Sequence, residues 1–275
     1  MYMKLKDGKS KVLTLSYDDG VVQDKRLIGI MDKFGLKGTF NINTGLYVDE
    51  DAVREKYYGR MKLSEAKELY INSGHEVAVH ALTHPFLEKC KPEEVLTEIL
   101  EDRKNIEEQY GTLARGMAYP FGTYNDEVVD LLSKCGICYS RTVVTTKCFD
   151  FPKNWLTLHP TCHHGEPELM NIAKKFVEET PRYGMHNWMF YLWGHSYEFD
   201  NDDNWDVIEK FAEYMGGRDD IWYATNIEVY DYVKAYEQLQ YSVDKTIIHN
   251  PTTTDLWFME KDKTYCIHGG ETLKL

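Results

Sequence analysis

KVLTLSYDDG, residues 11–20, is an apolar run that ends in two adjacent carboxylates and a glycine. Bounded by an Asp-Asp-Gly turn signal, VLTLSY predicts a strand that delivers Asp18 and Asp19 at its C-terminal end. The same unit, a short β-rich run followed by an amphipathic stretch, recurs down the chain. Further strands are expected at 37–43, 75–80, 114–119, 137–142, 155–159, 188–193 and 221–225. Helical periodicity covers 64–72, 91–110, 125–134, 166–179, 204–215 and 227–239. Caps agree with those bounds: Asn125 opens DEVVDLL, and Gly74, Gly111 and Gly136 follow helix ends. Repeated strand-then-helix units require a parallel sheet, and this many predict an irregular (β/α) barrel of seven or eight strands. From about residue 241 the helical period stops. Alternation with turn-like EKDK and HGGE predicts a small C-terminal β appendage, with residues 1–240 as the barrel and 241–275 packed on it.

Composition limits the partners. At 275 residues, 43% hydrophobic and 28% charged, the chain suits one large α/β domain with an appendage. A net charge of −13 opposes nucleic acid, whose binding relies on Lys and Arg neutralising phosphates. The first twenty residues carry lysines but no apolar signal segment, and nothing predicts a membrane span or membrane partner. The expectation is a cytoplasmic protein whose six cysteines (90, 135, 138, 148, 162, 266) are reduced thiols.

The candidate chemistry sorts to one side of this barrel. Asp18 and Asp19 follow the first expected strand, His80 ends the third, Pro120 and Phe121 follow the fourth, and His195 follows the seventh. Each lies at a C-terminal strand end, the face where α/β barrels carry their sites. A mononuclear metal hydrolase needs three ligands, an open position, a base for water and an acid for the leaving group. Adjacent carboxylates leaving a strand point in different directions, so one can bind metal while its neighbour accepts a proton. Alone, Asp-Asp-Gly is an ordinary turn. His84 precedes Pro85, which disfavours the α region and puts the His80–His84 pair on a strand-to-loop corner. His75 falls on the opposite strand face from His80 and reads as structural. The turn Tyr119-Pro120-Phe121-Gly122 can aim a backbone N–H into the barrel mouth as an oxyanion donor, or be a plain strand-to-helix turn. An imidazole at His195, within reach of a metal site, suits a general acid.

These motifs resemble the polysaccharide deacetylases, the NodB-homology family of carbohydrate esterases. Ser16-Tyr17-Asp18-Asp19-Gly20 matches that family's first motif, and His80 and His84 match its paired-histidine motif inside GHEVAVHALTHP. Tyr119-Pro120-Phe121-Gly122 resembles its third, and Leu192-x-x-His195 resembles the motif with the general acid. The resemblance spans roughly residues 11–225 in the family's motif order. It implies Asp18 as catalytic base, Asp19, His80 and His84 as metal ligands, His195 as acid, and Phe121, Tyr119 and Arg141 as oxyanion or substrate-side residues. Three departures stand out. Ala118 replaces an arginine that pairs with the catalytic aspartate, Ala81 replaces a small hydroxyl residue, and Asn154-Trp155 stands where an Asp-Trp orients the catalytic histidine. Arg141, ending the next strand, is the candidate substitute for the missing cation.

Other signals read as structural. Cys135 and Cys138 have redox-dithiol spacing but sit at a helix end and a strand start, not at the helix N-terminus that activates a thiol. DNDDNWD, 200–206, has Trp205 where a calcium loop needs glycine. Thr161-Cys162-His163-His164 offers metal-ligand residue types, but no nearby acidic partner supports a site, and it reads as a rim segment able to touch substrate. Of Trp188, Trp193, Tyr197 and Trp205, one or two are expected at the barrel mouth.

The expected function is therefore a metal-dependent deacetylase acting on carbon–nitrogen, non-peptide amide bonds, removing an N-acetyl group from an amino sugar or N-acetylated saccharide and releasing acetate. The expected cofactor is one divalent metal. An N/O ligand set and the stability order favour Zn²⁺ over Fe or Mn. The alternatives are a hydrolase of a small non-sugar amide and a non-catalytic carbohydrate-binding protein.

Overall fold

The structure, a computed structural model, describes residues 1–51, 59–181 and 186–275. After a short strand β1 (Tyr2–Lys4), the chain runs β2 (Lys11–Asp18), α1 (Asp24–Lys33), β3 (Gly38–Ile42), α2 (Leu63–Tyr70), β4 (Glu76–Val79), α3 (Pro92–Tyr110), β5 (Gly116–Ala118), α4 (Asp126–Lys134) and β6 (Tyr139–Arg141). It continues through β7 (Cys162–His163), α5 (Leu169–Glu178), β8 (Trp188–Gly194), α6 (Ser196–Asn201), α7 (Asp206–Met215), β9 (Ile221–Tyr223) and α8 (Asn226–Glu237). The parallel strands order as β6-β5-β4-β3-β2-β8-β7, with β9 also paired to β2. This is the curled sheet of an irregular (β/α) barrel, as the strand–helix alternation predicts. The gap between its edges is spanned by the run from Leu158 to His163. Leu158 bridges Arg141 at one edge, and Cys162 and His163 pair with Leu192 and Trp193 at the other.

Two expectations about elements are corrected. Residues 155–159 do not form a strand: Asn154 accepts the Leu156 N–H at 2.9 Å and caps a 3₁₀ turn over Trp155–Thr157, leaving Leu158 alone to pair. The helix α1 is absent from the expected set. Its apolar stripe of Leu27, Ile28, Ile30 and Met31 is broken by Gly29, a residue that lowers helix propensity.

Strand β2 is buried along its whole length, yet it alternates. Leu13, Leu15 and Tyr17 join the apolar layer under the helices, with Phe40 and Ile42 of β3, Val95 and Ile99 of α3 and Phe176 of α5. The alternate residues Thr14, Ser16 and Asp18 are polar, and period-2 side-chain alternation puts them inside the barrel. Asn41 donates to Ser16 Oγ at 2.8 Å, Thr14 donates to Asn226 at 2.7 Å, and Thr39 donates to Glu76 at 2.7 Å. The interior is thus a hydrogen-bonded column, and Asp18 is its last member on β2.

The C-terminal strands are β10 (Gln240–Tyr241), β11 (Ile247–His249), β12 (Leu256–Glu260), β13 (Lys263–Ile267) and β14 (Thr272–Lys274). They form two antiparallel three-stranded sheets, ordered β10-β11-β14 and β1-β12-β13, so the N-terminal strand completes the second. In the turn between β12 and β13, Lys261 and Asp262 both take positive φ, the pattern of a tight hairpin that follows the strand twist. Leu256, Phe258 and Ile267 pack with Val229, Tyr232 and Val233 of α8 in a second apolar cluster. Among the described residues no helix is long and apolar enough to cross a membrane. All six cysteines are unpaired.

Candidate active site

Asp18, Asp19, Arg60, His80, His84, Tyr119, Phe121, Trp193, His195 and Tyr197 line one cleft of about 660 Å³ at the C-terminal ends of the strands. Non-glycine residues with positive φ crowd it: Asp19 at 86°, Ala81 at 62°, His84 at 58° and Phe121 at 57°. Such conformations cost about 1–3 kcal/mol each and persist where surrounding contacts over-determine them. Here Asn43 is one such clamp. Its side chain donates to the carbonyls of His80 and Ala81, holding the corner that presents both histidines. Asp102, inside α3, holds the same corner through the His80 N–H at 3.0 Å and Thr44 at 2.7 and 2.8 Å.

Asp19, His80 and His84 each offer one ligand atom, all within 4.8 Å of one another. Asp19 Oδ1 lies 3.9 Å from His80 Nε2 and 3.8 Å from His84 Nε2. His80 Nδ1 sits 2.7 Å from the Ala118 carbonyl, which can only accept, so the ring proton is on Nδ1. That leaves Nε2 as a bare lone pair, buried without a hydrogen-bond partner. Such an outer contact is what orients a ligand histidine. Burial pushes the His80 pKa down to about 4 and lowers that of His84, which favours the neutral, ligating form of each ring. The donor set fits a divalent cation. Arg60 adds a guanidinium 2.9 Å from the same Asp19 oxygen and 2.6 Å from Asn43.

Asp18, 2% exposed, sits beside the same cluster, with its Oδ2 3.9 Å from His80 Nε2. Its Oδ1 accepts from Asn41 at 2.9 Å and its Oδ2 pairs with the fully buried Arg141 guanidinium. Burial alone would raise this carboxyl, but Arg141 first, then His80 and His195, outweigh it and hold the pKa below the ordinary range. Arg141 in turn lies over the Trp193 ring at 4.3 Å.

His195, just past β8, places Nε2 3.9 Å from Asp18 Oδ2, and its Nδ1 lies 3.3 Å from Glu198 Oε1. Burial would depress its pKa, yet Glu198, Asp18 and Asp19 raise it above the usual histidine value. Glu198 also contacts His163 and His164 at 3.0 and 3.1 Å. The acidic partner that sequence reading finds missing for His163-His164 is therefore supplied by Glu198 of α6.

Tyr119 lines the cleft with its hydroxyl donating to the Leu156 carbonyl at 2.8 Å. Phe121 stacks on Phe86 with centroids 3.9 Å apart and meets the His84 ring edge-on at 4.4 Å. Trp193 and Tyr197 are the tryptophan and tyrosine at the mouth. Trp188 packs on Phe149 and Phe176 in the core, and Trp205 packs on Phe199. His75 is structural, accepting from Gly38 N–H and lying 3.3 Å from Asp32.

Residues 5–140 match the family described as polysaccharide deacetylase. They belong to that family. A curated relative, a chitooligosaccharide deacetylase of Bradyrhizobium sp. (strain ANU 289), is 37% identical over 68 residues. That match covers 24% of this chain and only 31% of the relative. Solved structures extend the likeness in fold. A Mycobacterium smegmatis protein of polysaccharide deacetylase type superposes with a TM-score of 0.61 at 16% identity, over 86% of this chain and 94% of that one. The CE4 domain of a multidomain xylanase from the Trinervitermes trinervoides hindgut metagenome gives 0.54 at 14% identity, over 82% and 92%. A CE4 pseudoenzyme from Bacillus anthracis gives 0.51 at 17%, over 84% and 68%.

Within this polysaccharide deacetylase frame, four residues escaped sequence reading. Asp102 carried a signal, because it occupies the apolar stripe of α3 between Val95, Ile99 and Ile106. Glu198 lies three residues after His195, one helical turn on, where proximity is expected. Asn43 and Arg60 carried none: each comes from a loop whose path only the packed structure defines.

Proposed function

We propose that this protein is a metal-dependent deacetylase that hydrolyses the acetamide of an N-acetylated amino sugar or saccharide, releasing acetate and a free amine. The observation that carries the reading is the orphaned Nε2 of His80, aimed at Asp19 and His84 in a cleft that also holds Asp18 and His195. A divalent metal held by Asp19, His80 and His84, with Zn²⁺ favoured by the N/O donors, would supply Lewis-acid polarisation at the acetyl carbonyl. Asp18, kept ionised by Arg141, takes a proton from the water that attacks the carbonyl carbon. The Phe121 N–H is assigned to the developing oxyanion. As the C–N bond breaks, His195 Nε2–H passes its proton to the departing amine nitrogen. A cleft of about 660 Å³ is within the range for small ligands and suits one or two sugar rings. The exposed Phe86–Phe121 pair beside it offers an apolar face for a ring to stack on. The cytoplasm is the proposed location. The neighbour described as a pseudoenzyme makes non-catalytic sugar binding the contrasting case, but a pure binder has no use for a base and an acid side by side at a ligand cluster.

The test is an acetate-release screen over N-acetylated sugars, their oligomers and small non-sugar acetamides, with metal content measured on the same sample. Release from the sugars with about one metal per chain supports the proposal. Release confined to simple acetamides would move the substrate class, and no release from any of them by metal-loaded protein would overturn the reading.

A further inference from the structure

The cluster His163–His164–Glu198 has the look of a second metal site: three ligand atoms lie within 4.8 Å. The protons decide otherwise. His163 Nδ1 accepts the Gly165 N–H at 3.1 Å, so its proton is on Nε2, which donates to Glu198 Oε2 at 3.0 Å. His164 Nδ1 is buried with no partner, and its Nε2, 3.1 Å from the same oxygen, is the donor there. A Cβ on Gly194 would come within 2.0 Å of that Nδ1, which explains how closely the ring is packed against the β8 backbone. Binding a cation at His163 Nε2 would move its proton to Nδ1 and set it against the Gly165 N–H, donor against donor. His80 shows the opposite arrangement, with a carbonyl on Nδ1 and a bare Nε2. The partner on Nδ1 therefore separates the candidate ligand His80 from His163, and His164 shares the donor role through its Nε2 contact with Glu198.

The His195 backbone N–H also donates to Glu198 Oε2, at 3.2 Å. Three N–H groups thus converge on one carboxylate oxygen and fix the group in place. Oε1 is left facing His195 Nδ1 at 3.3 Å, an ion-pair distance short of hydrogen-bond geometry, and catalytic contacts of this kind often tighten only when substrate binds. We propose that Glu198, clamped by His163 and His164, is the positioning residue for His195. It holds the imidazole proton on Nδ1, aims Nε2 into the cleft beside Asp18, and supports the charged ring. Asn154 is already committed to its own turn, so this role passes to a residue on α6. The proposal rests on the deacetylase reading only in naming what His195 does; the placement of the proton does not depend on it.

Two measurements separate those layers. In the first, the imidazole Cε1–H signals of the full chain are titrated by NMR, with the His195 signal assigned by its loss in His195→Gln. The wild-type midpoint should lie above the ordinary histidine value and fall in Glu198→Gln, and Glu198→Asp, one methylene shorter, should lie between. An unmoved midpoint in folded Glu198→Gln or Glu198→Asp overturns the proposal, whether or not any substrate has been found. In the second, kcat on an N-acetyl amide should fall in Glu198→Gln by between about tenfold and the roughly 10²–10⁴-fold of losing a general acid. KM should stay nearly constant, the alkaline limb should move to lower pH, and an activated aryl acetate should be spared. Equal loss on both substrates overturns it. So does Zn²⁺ titration to two equivalents per chain in which Glu198→Gln removes one, because the cluster would then be a metal site.

Discussion

Ala118 and Arg141 are Cα partners across the adjacent parallel strands β5 and β6, and the guanidinium of Arg141 reaches Asp18. Paired residues in register share a face of the sheet, so a cation one strand over occupies the same side of the barrel. We propose that Arg141, from this neighbouring position, takes the place of the arginine absent at 118. Because both charges are buried, the pair is costly to break from one side: removing either partner leaves an uncompensated buried charge.

Removing Arg141 should therefore show twice. Arg141→Met leaves Asp18 buried without its principal counter-charge, and stability should drop by about 3–5 kcal/mol in urea unfolding. The acid limb of kcat/KM should move to higher pH, because the cation that holds Asp18 down is gone. The exchange Ala118→Arg with Arg141→Ala should recover part of the activity lost in Arg141→Ala alone. No recovery in a folded exchange variant would mean that position, and not charge, is what Arg141 contributes.

Adjacent aspartates should separate in their metal dependence. Asp19→Asn is expected to weaken Zn²⁺ by at least about tenfold, comparable to or larger than the roughly 10–100-fold loss typical of outer-shell partners. Asp18→Asn should keep the metal and lose most turnover. Calorimetric metal titration of both variants checks this, and equal metal loss in the two would show the roles wrongly divided.

His195→Ala should cost roughly 10²–10⁴-fold on an N-acetyl amide, whose amine must leave protonated. An activated aryl acetate leaves without that proton and should suffer far less. The comparison is made at constant metal content, and parallel losses would leave His195 as a packing or binding residue.

Asp24 links folding to pH. It is fully buried, and burial pushes its carboxyl up to about 7 against the hydrogen bonds from Ser196 and Tyr70. The folded state then holds a proton that the unfolded chain, with its ordinary carboxyl near 4, has released. The resulting stability is present in full below about pH 4 and is lost as pH rises through about 7. Asp24→Asn should flatten this fall. Urea midpoints of wild type and variant between pH 5 and 8 measure the difference, and identical slopes would show that Asp24 does not titrate in that window.

Strand–helix alternation, and the apolar run of KVLTLSYDDG closed by its Asp-Asp-Gly turn, determined the barrel and which strand ends carry chemistry, because local patterning reports the type of each element and where it stops. They also placed Asp18, Asp19, His80, His84 and His195 on one rim. What the sequence could not express is which groups meet across the barrel. Leu158 reads as part of a strand but pairs alone, since the turn before it is capped by Asn154. Arg60 meets Asp19 across 41 residues, Arg141 meets Asp18 across 123, and Glu198 meets His163 across 35. Such contacts depend on strand order and register, which no local pattern encodes. Proton positions follow from them: only the packed structure sets a carbonyl against His80 Nδ1 and an N–H against His163 Nδ1. Residue type by itself made both histidines candidate ligands, and the partner brought up by the fold decided between lone pair and proton.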